Sequence, residues 1–233
     1  MSEILYIGMC YQFTKNMKYM GPKGSIQIKH NRKTKSILHH HIDGISKMFG
    51  NNDIKKRMVV GFEADKILKT FDYPVPYSCV VDHNNTNHGK IIKDILVKYN
   101  HKKPDYIGCL IATDVSLIPK VANVGIDLNK NYVFYTDSRN IDTDMTCNIQ
   151  NDQIEYILYN TSDNFWTGMV YLSNEAIRAI KHINLVYNTD PLFLMEVINK
   201  TINVGVHFEP YKLKKKDFSY IDNNSLKPTT KVM

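Results

Sequence analysis

Two aspartates in this chain each close a short apolar approach. Asp114 ends the run YIGCLIATDV, and Asp222 follows Tyr220 and Ile221 in FSYIDNNSLK. A nearly continuous apolar run of strand length reads as a strand covered on both faces. A carboxylate directly after it falls at the carboxyl edge of the sheet, where open α/β folds bind their ligands. There a single Asp can hold Mg²⁺ against substrate phosphates, because Mg²⁺ keeps several waters and takes only one or two protein carboxylates. The competing readings are local: Asp114 caps the turn leading to Pro119, and Asp222 caps a helix.

Other residues invite chemistry and have plainer readings beside it. Trp166, the single tryptophan, precedes Gly168 on a predicted strand. Its ring either stacks on a cationic or sugar group or anchors the core. His39, His40 and His41 fall inside a predicted helix, about 100° apart, so they cannot converge on one metal and read as a solvated face. His83 and His88 flank a polar Asn84 to Asn87 turn within reach of a base or sugar. No Ser/His/Asp or Cys/His arrangement supports covalent catalysis.

Strands alternating with helices must position these residues. Ile4 to Gly8 reads as a buried first strand, followed by a loop over residues 9 to 24 and a short strand around Ile26 and Ile28. A helix is predicted over Lys35 to Phe49, a strand over Lys56 to Phe62, a helix over Glu63 to Phe71 and a strand over Tyr77 to Val81. Gly89 to Tyr99 is amphipathic, and Tyr106 to Ala112 is the central strand. The alternation predicts an α/β sheet built largely from parallel crossovers. After Asn131 the texture changes. Tyr132 to Thr136, Ile154 to Tyr159 and Gly168 to Leu172 read as strands; Ser173 caps a helix over Asn174 to Ile183; Pro191 to Asn203 forms another helix before a strand near His207 to Tyr211.

Composition bounds the remaining possibilities. In 233 residues, 43% hydrophobic and 23% charged, there is enough apolar chain for a core, which excludes wholesale disorder. Lys+Arg number 30 against 23 Asp+Glu, a net charge of +7, concentrated in Lys29 to Lys35 and Lys212 to Lys216. These runs could bind phosphates but read as solvated loops, and no helix-turn-helix, zinc-finger or basic-aromatic pattern argues for nucleic acid. No apolar run approaches a membrane span of ~18 to 20 residues. The start MSEILYIGMCYQ lacks the features of a secretory signal, so a cytoplasmic address is expected. The four cysteines are scattered without a CxxC pair and read as buried thiols.

The order of these segments resembles the sugar-nucleotide pyrophosphorylase and cytidylyltransferase superfamily. Seven stretches carry the resemblance: Ile4 to Gly8, PKGSIQI…SILHHHIDGI, RMVVGFEADKIL, VVDHNNTNHGKIIKDIL, LIATDV, FWTGMVYLSNEAIRAI and FSYIDNNSLK. The resemblance implies a Rossmann-like GT-A nucleotidyltransferase fold, with a central mixed, mostly parallel sheet flanked by helices. It implies one domain over 1–233, with a nucleotide-binding half over 1–120 and an acceptor-binding half over 121–233. The implied catalytic residues are Lys23, Asp114 and Asp222, with Mg²⁺ on Asp114 and Asp222. Gly8, Lys15, Asn85, Asn87, Trp166 and Gly168 are the implied binding residues.

The implied reaction joins a nucleoside triphosphate to a sugar 1-phosphate or alcohol phosphate and releases pyrophosphate. The first loop departs from the family's G-x-G-x-R, since Gly8 is followed by MCYQFTKN and only Lys15 or Lys18 could replace the Arg. Weak pyrophosphate release is therefore expected. The same departure favours two alternatives, a non-catalytic nucleotide- or sugar-binding module and a GT-A glycosyltransferase using a nucleotide sugar. Geometry follows too: Asp114 and Asp222 should share one sheet edge, with Lys23 facing the same cleft.

Overall fold

A computed structural model describes residues 3–10, 22–30, 32–50, 52–61, 63–69, 77–80, 88–100, 106–141, 143–183 and 193–221. The first part runs β1 (Glu3–Met9), a 3-10 turn (Lys23–Ser25), β2 (Gln27–His30), β3 (Lys33–Ser36), α1 (Ile37–Met48), β4 (Asp53–Val60), α2 (Ala64–Leu68), β5 (Tyr77–Val80), α3 (His88–Asn100) and β6 (Tyr106–Ala112). It continues through β7 (Leu117–Pro119), β8 (Tyr132–Thr136), β9 (Met145–Gln150), β10 (Gln153–Tyr159), β11 (Phe165–Ser173), α4 (Asn174–His182), α5 (Leu194–Asn203), β12 (Glu209–Lys212) and β13 (Phe218–Tyr220).

The first strand is central. β1 lies between β4 and β6, parallel to both, and β5 extends the parallel run beyond β4. The order β5-β4-β1-β6 therefore changes direction beside β1, the arrangement that leaves a crevice at the strands' carboxyl ends. β11 joins the other edge of β6 antiparallel and connects to β9 and β10, while β8 pairs with β11 and, in parallel, with β12. The result is a mixed sheet with a wholly parallel N-terminal section and helices packed on its faces.

Strand periodicity divides the core. Leu5, Ile7 and Met9 of β1 join the cluster that includes residues of α3, α4 and α5, whereas Ile4 and Tyr6 point into the one that includes residues of α1. Burying each Leu or Ile contributes about 1.5–3 kcal/mol of transfer free energy. Because both faces are covered, β6 has to be apolar along nearly its whole length.

Helix α1 begins at Ile37, two residues later than Lys35, because Lys33 to Ser36 pairs with Gln27 to His30 as a hairpin. Ser36 caps the helix, its Oγ accepting from the His39 N–H at 3.2 Å. The histidines are not a solvated face: His40 is 6% and His41 0% exposed. His41 belongs to the stripe Leu38, His41, Ile45, Met48, all buried. On the same helix Gly44 lies so close to β7 that a Cβ there would run into the Pro119 carbonyl.

Other boundaries shift. α2 ends at Leu68, α5 begins at Leu194, and the strand expected near His207 is Glu209 to Lys212. Ser173 occupies the N-cap position of α4 without capping through its side chain; among the described residues its buried Oγ has no partner. No described helix is long and apolar enough to cross a membrane.

Candidate functional site

The site begins where β6 ends. Past Ala112 the chain turns, and Asp114 Oδ1 accepts from the Ser116 N–H at 2.8 Å. Asp114 therefore does cap the turn toward Pro119, and the same geometry fixes its carboxylate. Oδ2 accepts from the Tyr220 hydroxyl at 3.0 Å and lies 3.7 Å from Lys23 Nζ. That ammonium also stands 5.3 Å from the centre of the Tyr220 ring. The Lys23 side chain is 8% exposed and that of Asp114 24%, so the pair sits at a sheltered mouth rather than in open solvent.

Tyr220 reaches Asp114 because β13 pairs antiparallel with β7, setting Tyr220 opposite Leu117. The next residue, Ile221, donates its N–H to the Ser116 carbonyl at 3.1 Å. Asp222 itself lies outside the described residues, as do Lys15, Asn85 and Asn87. His83 and the loop from residue 11 onward lie there too.

A bulge opens the cleft beside Asp114. β11 pairs with β6 only from Met169 to Ser173, and its register against β8 shifts between Trp166 and Met169. At the shift Gly168 has φ +75°, and its carbonyl accepts from both Thr113 N–H (2.9 Å) and Thr113 Oγ1 (3.1 Å). The strand thus leaves β6 just as β6 ends. A cleft of about 210 Å³ opens there, bordered by Asp114, Trp166, Gly168, Met195 and Tyr220 among others.

Gly168→Ala should therefore be costly, because the left-handed backbone strains an L side chain and the new Cβ would collide with Thr113 Oγ1. A loss of about 2–4 kcal/mol is expected in urea unfolding. A change below about 0.5 kcal/mol would show that the bulge is pliable.

The expected site residues meet unequally. Lys23 and Asp114 form one pair, and Asp114, Trp166 and Gly168 line one cleft. Trp166 is both wall and core anchor: it is 3% exposed, and its Nε1–H donates to the Met169 carbonyl at 3.1 Å. Gly8 pairs with Ala112 within the sheet, and a Cβ on it would meet the Tyr6 hydroxyl at 2.7 Å. Its described contacts are thus with the fold. Tyr220 is the candidate site residue that sequence reasoning missed; its one signal was a place two residues before Asp222. Cys10, Cys109 and Cys147 are buried and unpaired, and burial pushes their thiols up, which leaves them inert as nucleophiles.

Among the described residues no cluster of three or more His, Cys, Asp or Glu could hold a metal. Asp114 remains the one described carboxylate beside the cleft. Among the described residues each of its oxygens accepts one hydrogen bond, with Lys23 Nζ 3.7 Å from Oδ2, and keeps lone-pair capacity, which suits a cation that needs only one or two carboxylates.

No protein-family model matches the chain, and no curated relative does. Solved structures do. The CTP:phosphocholine cytidylyltransferase of Streptococcus pneumoniae superposes with a TM-score of 0.69 over 94% of this chain and 93% of its own, at 11% identity. A nucleoside-diphosphate-sugar pyrophosphorylase of Vibrio cholerae gives 0.68 over 93% and 94%, at 12% identity. The inositol-1-phosphate CTP transferase of T. maritima gives 0.67 over 96% and 91%, also at 12%. Agreement over nearly the whole of each chain at such low identity is agreement of architecture, and this chain has the nucleotidyltransferase fold.

Proposed function

We propose that the chain transfers a nucleotidyl group from a nucleoside triphosphate to a small phosphorylated acceptor and releases pyrophosphate. The observation that carries this reading is the Lys23–Asp114–Tyr220 cluster at the carboxyl edge of β6, beside the cleft that opens where β11 parts from β6. An oxygen of the acceptor phosphate attacks the α-phosphorus. The α–β anhydride bond breaks in line, and pyrophosphate leaves with the bonding electrons. Lys23 supplies a fixed positive charge, held by Asp114 and the Tyr220 ring, against the crowded phosphate oxygens. Asp114, with Asp222 as the proposed second ligand, would hold Mg²⁺, whose contribution is to neutralise phosphate charge. Lys15, Asn85 and Asn87 are proposed nucleotide contacts, and the soluble, cytoplasmic setting belongs to the same proposal.

The cleft favours an acceptor with few hydroxyls. Its three threonines are already tied to backbone: Thr113 Oγ1 to the Gly168 carbonyl, Thr167 Oγ1 to the Phe134 carbonyl at 2.6 Å, and Thr143 Oγ1 accepting from the Met145 N–H at 3.1 Å. The Trp166 N–H and Tyr220 hydroxyl are committed too. Among the described lining residues Asp114 keeps lone pairs and Thr143 Oγ1 keeps its own proton, which is too little for the several hydroxyls of a sugar. Phosphocholine, the acceptor named for the Streptococcus pneumoniae enzyme, carries no hydroxyl outside its phosphate.

The test is pyrophosphate release with four nucleoside triphosphates, each offered phosphocholine or glucose 1-phosphate. Slow but Mg²⁺-dependent turnover is expected, at least about tenfold better in kcat/KM with phosphocholine. Preference for the sugar phosphate would sink the acceptor assignment. Nucleotide binding without turnover would select the non-catalytic module instead.

A further inference from the structure

His41 makes a bond that the reaction above does not use. Its ring is wholly buried, and Nδ1 is bonded to the carbonyl of Leu117 in β7. A carbonyl only accepts, so Nδ1 carries the proton, and in the neutral ring Nε2 is a bare acceptor. Among the described residues Nε2 has no partner, and neither has the buried hydroxyl of Tyr6, whose ring centre is 5.7 Å away. An imidazole here stands where an apolar stripe would otherwise be unbroken, and burying it costs desolvation. Its one hydrogen bond among the described residues runs to one particular strand.

That strand carries the site. Leu117 is the third residue after Asp114, and Tyr220, which bonds the Asp114 carboxylate, pairs with it in register. Ser116, next to Leu117, donates its N–H to Asp114 and accepts from Ile221. One helical turn along α1, Gly44 brings the helix backbone against Pro119, the far end of the same strand. α1 is thus the bed of β7, with Gly44 setting the approach and His41 supplying the directional contact.

We infer that His41 is a positioning residue, whose Nδ1–H fixes the Leu117 carbonyl and through β7 holds the Asp114–Tyr220 pair in place. This rests on the reading of Asp114 as catalytic, whereas the hydrogen bond itself can be tested without it.

Three substitutions and one spectrum decide the matter. Asn places its amide nitrogen as many bonds from Cβ as Nδ1, so His41→Asn keeps a donor toward Leu117. His41→Gln carries the amide one bond further, and His41→Leu has none. Among folded variants, kcat should fall about 10- to 100-fold in Leu and Gln with little change in the nucleotide KM, and Asn should recover most of the loss. Wild-type kcat in the Leu variant, or equal loss in Asn and Gln, would overturn the inference. A long-range ¹H–¹⁵N spectrum of the wild-type ring, recorded at neutral pH, needs neither turnover nor a stable variant. It should show the Nδ1–H tautomer, and an Nε2–H tautomer would overturn the assignment. Absence of turnover in wild type with the Nδ1–H form present would refute the proposed reaction and leave the bond to Leu117 standing.

Discussion

Asp114→Asn is expected to reduce turnover about 10³-fold or more while the protein stays folded. The amide is nearly isosteric with the carboxylate. Its oxygen can still accept from the Ser116 N–H, and its NH₂ can donate to the Tyr220 hydroxyl, so the turn keeps both contacts. What disappears is the negative charge beside Lys23 and the proposed seat for a divalent cation. Losing its counter-charge at a sheltered site should cost about 1–3 kcal/mol of stability. In a chain of 233 residues this lowers Tm by several degrees without preventing folding. The measurement pairs steady-state pyrophosphate release with a thermal melt. Undiminished turnover in a folded Asp114→Asn protein would remove Asp114 from the mechanism.

Acid should weaken the fold through His41 over a defined range. Burial lowers its pKa from 6.5 to about 4, against the opposing pull of the Leu117 hydrogen bond and the Asp114 charge. Above about pH 6.5 neither folded nor unfolded chain protonates this ring, and the full stability is present. As the pH falls through 6.5 the unfolded chain takes up a proton that the folded chain refuses. Stability then declines until about pH 4, where the folded ring protonates too. The loss over this range is on the order of 3 kcal/mol. Urea unfolding at pH 7, 5.5 and 4.5 of wild type and His41→Asn isolates it, since carboxylate titrations are common to both proteins. Parallel pH dependence in the two would show that another group is responsible.

The parts of the fold that could be read from residues are those where burial leaves a strong pattern. β6, covered on both faces, announces itself as YIGCLIA, and Asp114 is conspicuous because it breaks that run. β3 is KTKS on a solvated hairpin, with no apolar signal to mark a strand. β7 is three residues ending in proline, and β9 reads MTCNIQ, too polar to stand out. Tyr220 matters only because β13 folds back on β7, a pairing between distant segments that local pattern does not encode. His41 was legible in principle, since Leu38, His41, Ile45 and Met48 share one helical face. Reading the three histidines as a polar block hid that spacing.

The cleft owes its existence to main chain. β11 parts from β6 at a bulge, and the space between them is there whatever side chains surround it. Its border, by contrast, includes residues such as Ile141, Met145 and Met195, drawn from separate elements and none of them part of the bulge. What the cleft admits and whether it exists are thus written in different residues. Under the proposed reaction, exchanging the partly buried Met145 would retune the accepted molecule while the opening survives, so preference among acceptors could change at little risk to the architecture.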